Sequence, residues 1–247
     1  MGKDPDHSPA DSPAFATTHW SVIIAARDFS HPDSRTALAR LCQIYWYPLY
    51  VYIRRKGIRL EEAEDLTQAF FEDFLARNVV ERADRDRGRF RSFLVSSLEN
   101  FLHNDWRSRN TQKRGSGVSP LSLDAQQAED RYAAEPQDPV TPDAAFARRW
   151  AHTLLDQTAE ALEAEWKTQR RPELFPELMA HLWSDATSIP YSELSARFDI
   201  SPVNLRVTLH RFRQRYRDLL RQAVAATVAD PEEVDDELRF LMQALSR

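Results

Sequence analysis

Residues 61–74, EEAEDLTQAFFEDF, contain six acidic side chains and no basic one. Carboxylates at this density could bind a metal ion or act as general acid and base. Glu61, Asp65, Gln68 and Glu72 recur at spacings of four, three and four, which places them in one stripe of a helix. No histidine or second carboxylate motif accompanies them, so an enzyme site is poorly supported. An exposed acidic stripe that docks on a basic partner surface is the better interpretation.

Other reactive side chains give little support for catalysis. The single cysteine, Cys42, excludes an internal disulfide and a cysteine-rich zinc site, and its apolar neighbours indicate a small buried hydrophobe. The seven histidines are scattered without metal-ligand spacing. We therefore expect no catalytic residue, no metal site, no cofactor and no enzymatic activity.

A basic segment contrasts with the acidic chain around it. Residues 203–221 hold six arginines and one aspartate, whereas the whole chain has 33 Lys and Arg against 38 Asp and Glu and a formal charge of −5. Ser201 is a suitable N-cap, and Pro202 suits the first helical position. The preceding segment predicts a second helix and a tight turn at residues 198–200. The pattern is that of a helix-turn-helix.

The basic helix has two distinct faces. Its apolar stripe, which should pack on Leu194, Phe198 and Ile200, consists of Leu205, Leu209, Phe212, Tyr216 and Leu219. Its other surface carries Asn204, Arg206, Thr208, His210, Arg211, Arg213, Arg215 and Arg217. Small polar residues in the first turns and arginines later suit the DNA major groove, with bases read first and phosphates held behind. A solvated amphipathic face remains the plainer alternative.

A second basic region follows the acidic helix. Residues 77–114 contain ten Arg and Lys against five acids, and include GRFRSFLVSSLENFLHNDW. Cations interleaved with aromatic rings suit a single-stranded nucleic acid, whose bases stack while its backbone meets the charges. The spacing of Leu94, Leu98 and Phe101 indicates core residues. Phe90, Phe93 and Trp106 fit either the core or a nucleic-acid surface.

Helices must position all of these residues. The chain has only five glycines, all at the terminus or between periodic segments, which predicts an all-α fold. Helices are expected from about Thr18 and over residues 33–56, 60–77, 90–107, 146–169, 172–183, 191–198, 201–228 and 231–245. Pro48 should kink or divide the second of them. No signal peptide or membrane-spanning run is evident, which predicts a cytoplasmic protein.

The motifs in this order resemble the extracytoplasmic-function (ECF) group of bacterial RNA polymerase sigma factors, within the sigma-70 family. The resemblance covers about residues 35–110 and 145–221. It is carried by YWYPLYVYIRRKG, EEAEDLTQAFFEDFLAR, FRSFLVSSLENFL and SELSARFDISPVNLRVTLHRFRQRYRDLL.

The resemblance implies a specific organisation. A disordered leader (1–16) would precede a sigma-2-like domain (17–110), a flexible linker (111–145), a sigma-4-like helix-turn-helix domain (146–228) and an acidic C-terminal helical extension (229–247). The partners would be core RNA polymerase and promoter DNA, with an anti-sigma protein or kinase left open and no membrane insertion. The linker would thread through the polymerase.

The resemblance also implies roles for individual residues. The residues that would bind core polymerase are Arg54, Arg55, Asp65, Gln68 and Phe71. The residues that would bind the −10 element and capture a flipped base are Arg87, Arg89, Phe90, Arg91, Phe93, Asn100 and Trp106, in and after a loop over about residues 79–89. The residues that would read the −35 element are Ser201, Asn204, Arg206, Val207, Thr208, His210, Arg211, Arg213 and Arg215.

Three points depart from the family pattern or remain open. Asp199 stands where many relatives have glycine, but Asp tolerates left-handed geometry. Val207 and Thr208 replace residues that are often Ser and Arg, and a Val207 methyl could touch a thymine methyl. The C-terminal helix either caps the core of the second domain or shields the arginine face. The alternatives to a sigma factor are a stand-alone helix-turn-helix regulator without polymerase contact and an all-α interaction scaffold.

Overall fold

A computed structural model of the chain describes residues 32–76, 89–111, 123–133, 140–168, 171–183 and 190–246. Every regular element in these ranges is helical, which confirms the all-α prediction. The helices are α1 (Pro32–Arg55), α2 (Leu60–Ala76), α3 (Phe90–Thr111), α4 (Leu123–Ala133), α5 (Pro142–Trp166), α6 (Phe175–Trp183), α7 (Tyr191–Arg197), α8 (Pro202–Ala225) and α9 (Val234–Leu245). The predicted leader, the helix from Thr18 and Arg87 lie outside the described residues.

The first two helices are joined by a short glycine turn. Gly57 has a φ of 83°, a left-handed conformation that ends α1 as the sequence predicts. Its amide donates a 3.0 Å hydrogen bond to the carbonyl of Arg54. Pro48 lies inside α1, and the helix continues through it to Arg55. The expectation that Pro48 divides this segment into two helices is therefore wrong.

A first hydrophobic core forms around α1, α2 and α3. The apolar stripe of α2 is buried in it, namely Ala63, Leu66, Phe70 and Phe74. Leu94 and Leu98 of α3 are also buried, while Phe101 packs partly buried at its edge. The spacing of the three α3 residues therefore predicted which face of that helix points inward.

Two long helices contribute to a second core as well as to the first. The N-terminal part of α5 places Phe146 and Trp150 in the first core, and Leu162 near its other end lies in the second. In the same way α8 buries its predicted stripe, Leu205 to Leu219, in the second core and Val224 in the first. The stripe packs with Leu194, Phe198 and Ile200, as predicted.

The C-terminal helix α9 belongs to the first core. Val234 and Leu241 are buried there, and Leu238 and Leu245 pack partly buried against the same cluster. Asp230 begins this segment, since its carboxylate accepts a 2.9 Å hydrogen bond from the amide of Glu232. The helix therefore packs mainly on α5 and α8 within the first core, away from the Leu205 stripe.

Helix α4 is a local surprise. The sequence around residues 123–133 has no sustained apolar period, and we expected a linker without regular structure there. The structure forms an eleven-residue helix in which Ala128 is buried against the first core.

Candidate nucleic-acid interface

The helix-turn-helix is shaped by its N-cap and its turn. The hydroxyl of Ser201 accepts a 3.3 Å hydrogen bond from the amide of Asn204, and Pro202 opens α8. Asp199 has a φ of 48°, so this aspartate does adopt the left-handed conformation that a glycine would otherwise supply. The amide of Ile200 then donates to the carbonyl of Ser195 at 3.0 Å. The start of α8 is therefore fixed by local chemistry that the sequence predicted.

One side chain of α7 and two from outside the motif also hold this turn. The guanidinium of Arg171 donates a hydrogen bond to the carbonyl of Phe198, and the hydroxyl of Ser195 donates to the carbonyl of Ile200. The indole of Trp166 in turn donates to the carbonyl of Arg171 at 3.0 Å. Trp166 and Arg171 thus link the turn to the end of α5. Sequence reasoning missed both, because nothing near them in sequence marks the turn as their partner.

The first turns of α8 present the side chains best suited to read DNA. Asn204, Arg206, His210 and Arg211 are exposed, and Thr208 is half-buried. Val207 is 44% exposed, and Val203, which the sequence did not single out, is 66% exposed. Two valines one helical turn apart on a solvent-facing surface form a small apolar strip between polar residues. Val203 could have been found from the sequence, because it is an apolar residue on the outward face of the predicted helix.

Two of the arginines predicted to read DNA form hydrogen bonds with neighbouring helices of the protein. Arg215 forms a bidentate pair with Glu165 of α5, with hydrogen bonds of 2.8 and 2.6 Å. The hydrogen bonding to Glu165 raises the pKa of Arg215 against a smaller opposing effect of burial. Arg213 donates a 2.6 Å hydrogen bond to the carbonyl of His181 in α6. The predicted −35 residues therefore divide into an exposed set near the N-terminus of α8 and a braced set behind it.

The start of α3 is engaged by the C-terminal helix. Glu237 of α9 is fully buried and receives hydrogen bonds of 2.6 and 3.2 Å from Arg91. Arg89 pairs with the same carboxylate at 3.0 Å. The guanidinium carbon of Arg91 also lies 3.6 Å from the centroid of the Phe240 ring. Both predicted −10 arginines that the structure describes thus have partners on α9.

The aromatic residues of α3 separate into core and surface. Phe90 is fully buried against Tyr45, with ring centroids 5.3 Å apart, and its amide donates to the carbonyl of Thr227. Phe93 packs partly buried against the first core, 6.1 Å from Phe74. Trp106 is 65% exposed. Of the three rings that the sequence left undecided, only Trp106 is available to a base in this conformation.

Trp106 and Asn100 lie in one groove. The groove has a volume of 660 Å³ and lies between α2, α3 and the turn after α1; its acidic lining residues are Glu62, Glu99 and Asp105. Glu99 accepts hydrogen bonds from the Tyr52 hydroxyl at 2.7 Å and from Lys56 at 3.1 Å. The Tyr52 hydrogen bond, followed by that of Lys56, lowers the pKa of Glu99. The groove therefore combines an exposed aromatic ring with three carboxylates, one of which, Glu99, is paired with the Lys56 ammonium that also lines the groove.

The acidic stripe of α2 faces solvent, as the sequence predicts. Asp65 and Gln68 are exposed, and the Gln68 amide donates a 3.1 Å hydrogen bond to Glu72. Phe71 is only 6% exposed and packs in the first core. Asp65 and Gln68 are thus accessible to a partner, whereas Phe71 packs in the core and holds the helix in place.

The arginines at the end of α1 contact α4. Arg54 forms a bidentate pair with Glu129, and its remaining guanidinium edge donates to the carbonyl of Ile58 at 2.7 Å. The guanidinium carbon of Arg55 lies 5.6 Å from the ring centroid of Tyr132. Burial lowers the pKa of Arg54, but hydrogen bonding and charge from Glu129 outweigh that effect and raise it. Neither arginine was expected to have an internal partner.

The described part of the chain offers neither a metal-binding cluster nor a reactive thiol. No group of three or more His, Cys, Asp or Glu side chains there is arranged to hold a metal ion. Burial raises the pKa of the half-buried Cys42 thiol to about 11, which keeps it protonated at neutral pH. None of the described helices is long and apolar enough to cross a membrane.

No family model, curated protein or solved structure matches this chain. Its function must therefore be argued from its own residues and their geometry.

Proposed function

We propose that this chain is a promoter-specificity subunit of bacterial RNA polymerase, a sigma factor of the ECF type. The observation that carries the proposal is the exposed N-terminal half of α8. It presents Asn204, Arg206, Val207 and Arg211 to solvent on a helix that is capped by Ser201 and follows a tight turn after α7. A helix presented in this way fits the width of the DNA major groove.

The chemistry of this surface suits duplex recognition. Arginine makes bidentate hydrogen bonds to guanine, asparagine makes them to adenine, and an apolar methyl group contacts the methyl of thymine. Arg206 and Arg211 are exposed together with His210, and Asn204 lies in the first turn. Arg213 and Arg215 keep α8 fixed against α6 and α5. In this proposal the −35 element is read by the exposed set, while the braced set orients the helix.

Capture of the −10 strand is assigned mainly to Asn100 and Trp106. Both are exposed and line the same groove, where the indole provides a stacking surface and the amide can hydrogen-bond a base. Arg89, Phe90 and Arg91 lie at the other end of α3, where the two arginines pair with Glu237 of α9 and Phe90 is buried in the core. The roles of Arg87 and of the preceding loop stay predictions from the resemblance.

Docking on the polymerase is assigned to the exposed acidic stripe of α2. Asp65 and Gln68 offer a carboxylate and an amide on a helix whose opposite face is held by Phe70 and Phe74 in the core. The two-domain organisation, with the sigma-2-like part over 17–110, the linker over 111–145 and the sigma-4-like part over 146–228, belongs to the same proposal. The chain carries out no covalent chemistry, since synthesis belongs to the polymerase.

The test of this docking surface is binding to purified core polymerase. We expect the double change Asp65→Ala and Gln68→Ala to weaken binding about tenfold or more, since both side chains are exposed and central to the stripe. Glu160→Ala, which removes an exposed charge from α5, is the control and should bind normally. Equal affinity of the double variant and the control would contradict the assignment.

A stand-alone helix-turn-helix regulator is the second candidate, and one observation favours it. Arg54, Arg89 and Arg91, which the resemblance assigns to polymerase and the −10 strand, all bind carboxylates of this chain. A protein that never meets polymerase would use these arginines in this way. Retention of duplex binding together with no detectable binding of core polymerase would favour this candidate.

A further inference from the structure

Helix α4 lies on a surface of α1 that the proposed function assigns to another partner. The two carboxylate oxygens of Glu129 receive hydrogen bonds of 3.2 and 2.8 Å from Arg54. The hydroxyl of Tyr50 donates a third hydrogen bond to Glu129 at 2.6 Å. Glu129 therefore accepts hydrogen bonds from a guanidinium and from a phenol at the same time. Such a geometry is typical of specific recognition.

Aromatic contacts complete this α1–α4 contact. The ring of Tyr132 lies 4.8 Å from the guanidinium carbon of Arg54 and packs edge-on against Tyr50, with centroids 6.4 Å apart. The guanidinium of Arg131 lies over the ring of Tyr47 at 4.2 Å. The surface formed by Tyr47, Tyr50, Arg54 and Arg55, here called the Arg54 surface, thus fits a helix that carries a carboxylate and an aromatic ring one turn apart.

The contact is specific but limited in strength. Among residues 128–133, the part of α4 whose side chains are described, only Ala128 is buried. The side chains of Arg54 and Glu129 remain 18% and 19% exposed, so water and salt partly screen their attraction. The contacts of residues 128–133 are one ion pair, the Tyr50 hydrogen bond, ring contacts and the burial of Ala128, and a competing partner can displace contacts of this kind. Helix α9 is held more firmly, since it buries Val234, Glu237 and Leu241.

We infer that α4 is an intramolecular occupant of the Arg54 surface, and that core polymerase and α4 compete for it. This inference rests on the proposed function, which assigns Arg54 and Arg55 to the polymerase. The same function requires residues 111–145 to thread through the polymerase, a path that α4 cannot follow while it is packed on α1. The free chain therefore holds α4 and Arg54 together, and binding separates them.

Removing the charge of Glu129 tests the competition directly. Glu129→Gln keeps the shape of the side chain but loses its ion pair with Arg54, and Tyr132→Ala removes the ring contact independently. Each variant is expected to bind core polymerase about threefold to tenfold more tightly, because α4 occupies the Arg54 surface in less of the free chain. Glu160→Gln, an equal charge change on the exposed face of α5, is the control and should not alter affinity. Hydrogen exchange of the amides of residues 123–133 reports α4 itself.

The outcomes separate this inference from the proposed function. Faster exchange in α4 of both variants, together with tighter polymerase binding and loss of α4 protection in the wild-type complex, supports the competition. Faster exchange with unchanged polymerase affinity overturns the competition and leaves the sigma-factor proposal intact. No polymerase binding by the wild type or by either variant overturns the proposed function, and the competition with it.

Discussion

Two segments of this protein carry arginines that were both expected to bind DNA, and they differ in their surroundings. At the start of α3, Arg89 and Arg91 alternate with aromatic residues, and both pair with the buried carboxylate of Glu237. In the first turns of α8, Arg206 and Arg211 are exposed to solvent. The first pair joins two helices of the protein, whereas the second faces outward where a ligand can reach it.

The difference shows that the charge of a short segment does not indicate whether its arginines are exposed to a ligand. Arg91 and Glu237 are separated by 146 residues, so no window around Arg91 reveals its partner. A fully buried carboxylate requires compensating charge, because an ion removed from water and left unpaired is strongly disfavoured. The basic, aromatic character of residues 89–93 therefore reflects at least in part the need to neutralise Glu237. Unlike these residues, the start of α8 has its polar side chains in contact with water.

The largest expected effect is on the free energy of unfolding. It is tested by replacing one arginine of each segment by alanine. Arg91→Ala should lower the free energy of unfolding by about 3 kcal/mol, because it leaves a buried carboxylate with incomplete compensation. Arg206→Ala, at an exposed position, should stay within about 0.5 kcal/mol of the wild type. Urea denaturation measures both. A loss below 1 kcal/mol for Arg91→Ala would show that the α3–α9 contact does not hold the two helices together.

The second prediction concerns DNA affinity, for which the exposed arginines of α8 should matter more than they do for stability. Arg206→Ala and Arg211→Ala should each weaken binding to a cognate duplex about tenfold, as expected for the loss of an arginine contact to a base or phosphate. Arg239→Ala, which removes an equal charge from an exposed position on α9, should change affinity little. Fluorescence anisotropy over a series of salt concentrations provides the measurement. Equal losses in all three variants would indicate a diffuse effect of net charge.

A smaller effect is expected from the two exposed valines. If Val203 and Val207 contact thymine methyl groups, replacing the contacted thymines by deoxyuridine should weaken binding about threefold, a typical cost for burying less apolar surface. The same DNA change should have little further effect on the Val203→Ala and Val207→Ala variants. Scanning each thymine of the bound duplex identifies the contacted positions. Full sensitivity to deoxyuridine in both variants would exclude the valines as the contacting residues.

Much of the fold could be predicted from local sequence, since helical faces repeat at short range. The spacing of Leu205, Leu209 and Phe212 predicted a buried stripe, and Asp199 was expected to tolerate the left-handed turn that it adopts. Helix α4 was missed because its segment has no sustained apolar period, and its described contacts with α1 come from Glu129 and Tyr132, whose partners lie far away in sequence. For Pro48 the sequence left a kinked and a divided helix open, and the helix continues through it to Arg55.

The candidate site was predicted less completely, for a different physical reason. Residue type and spacing identified Asn204, Arg206 and Arg211, because an exposed helix start depends on its own cap and turn. They did not separate Arg211 from Arg215, since the distinction lies in the bidentate pair of Arg215 with Glu165, which is 50 residues away. They also did not place Phe90 inside the core, where Tyr45 from another helix covers it. Long-range partners decide these cases.

Run-off transcription with purified core polymerase and a library of promoter fragments tests the central claim most directly. We predict specific transcripts that depend on adding this chain and that are strongly reduced by the combined change Arg206→Ala and Arg211→Ala. The Arg239→Ala variant should support transcription normally. A chain that binds duplex DNA yet adds no transcript to those of core polymerase alone would contradict its identification as a promoter-specificity subunit.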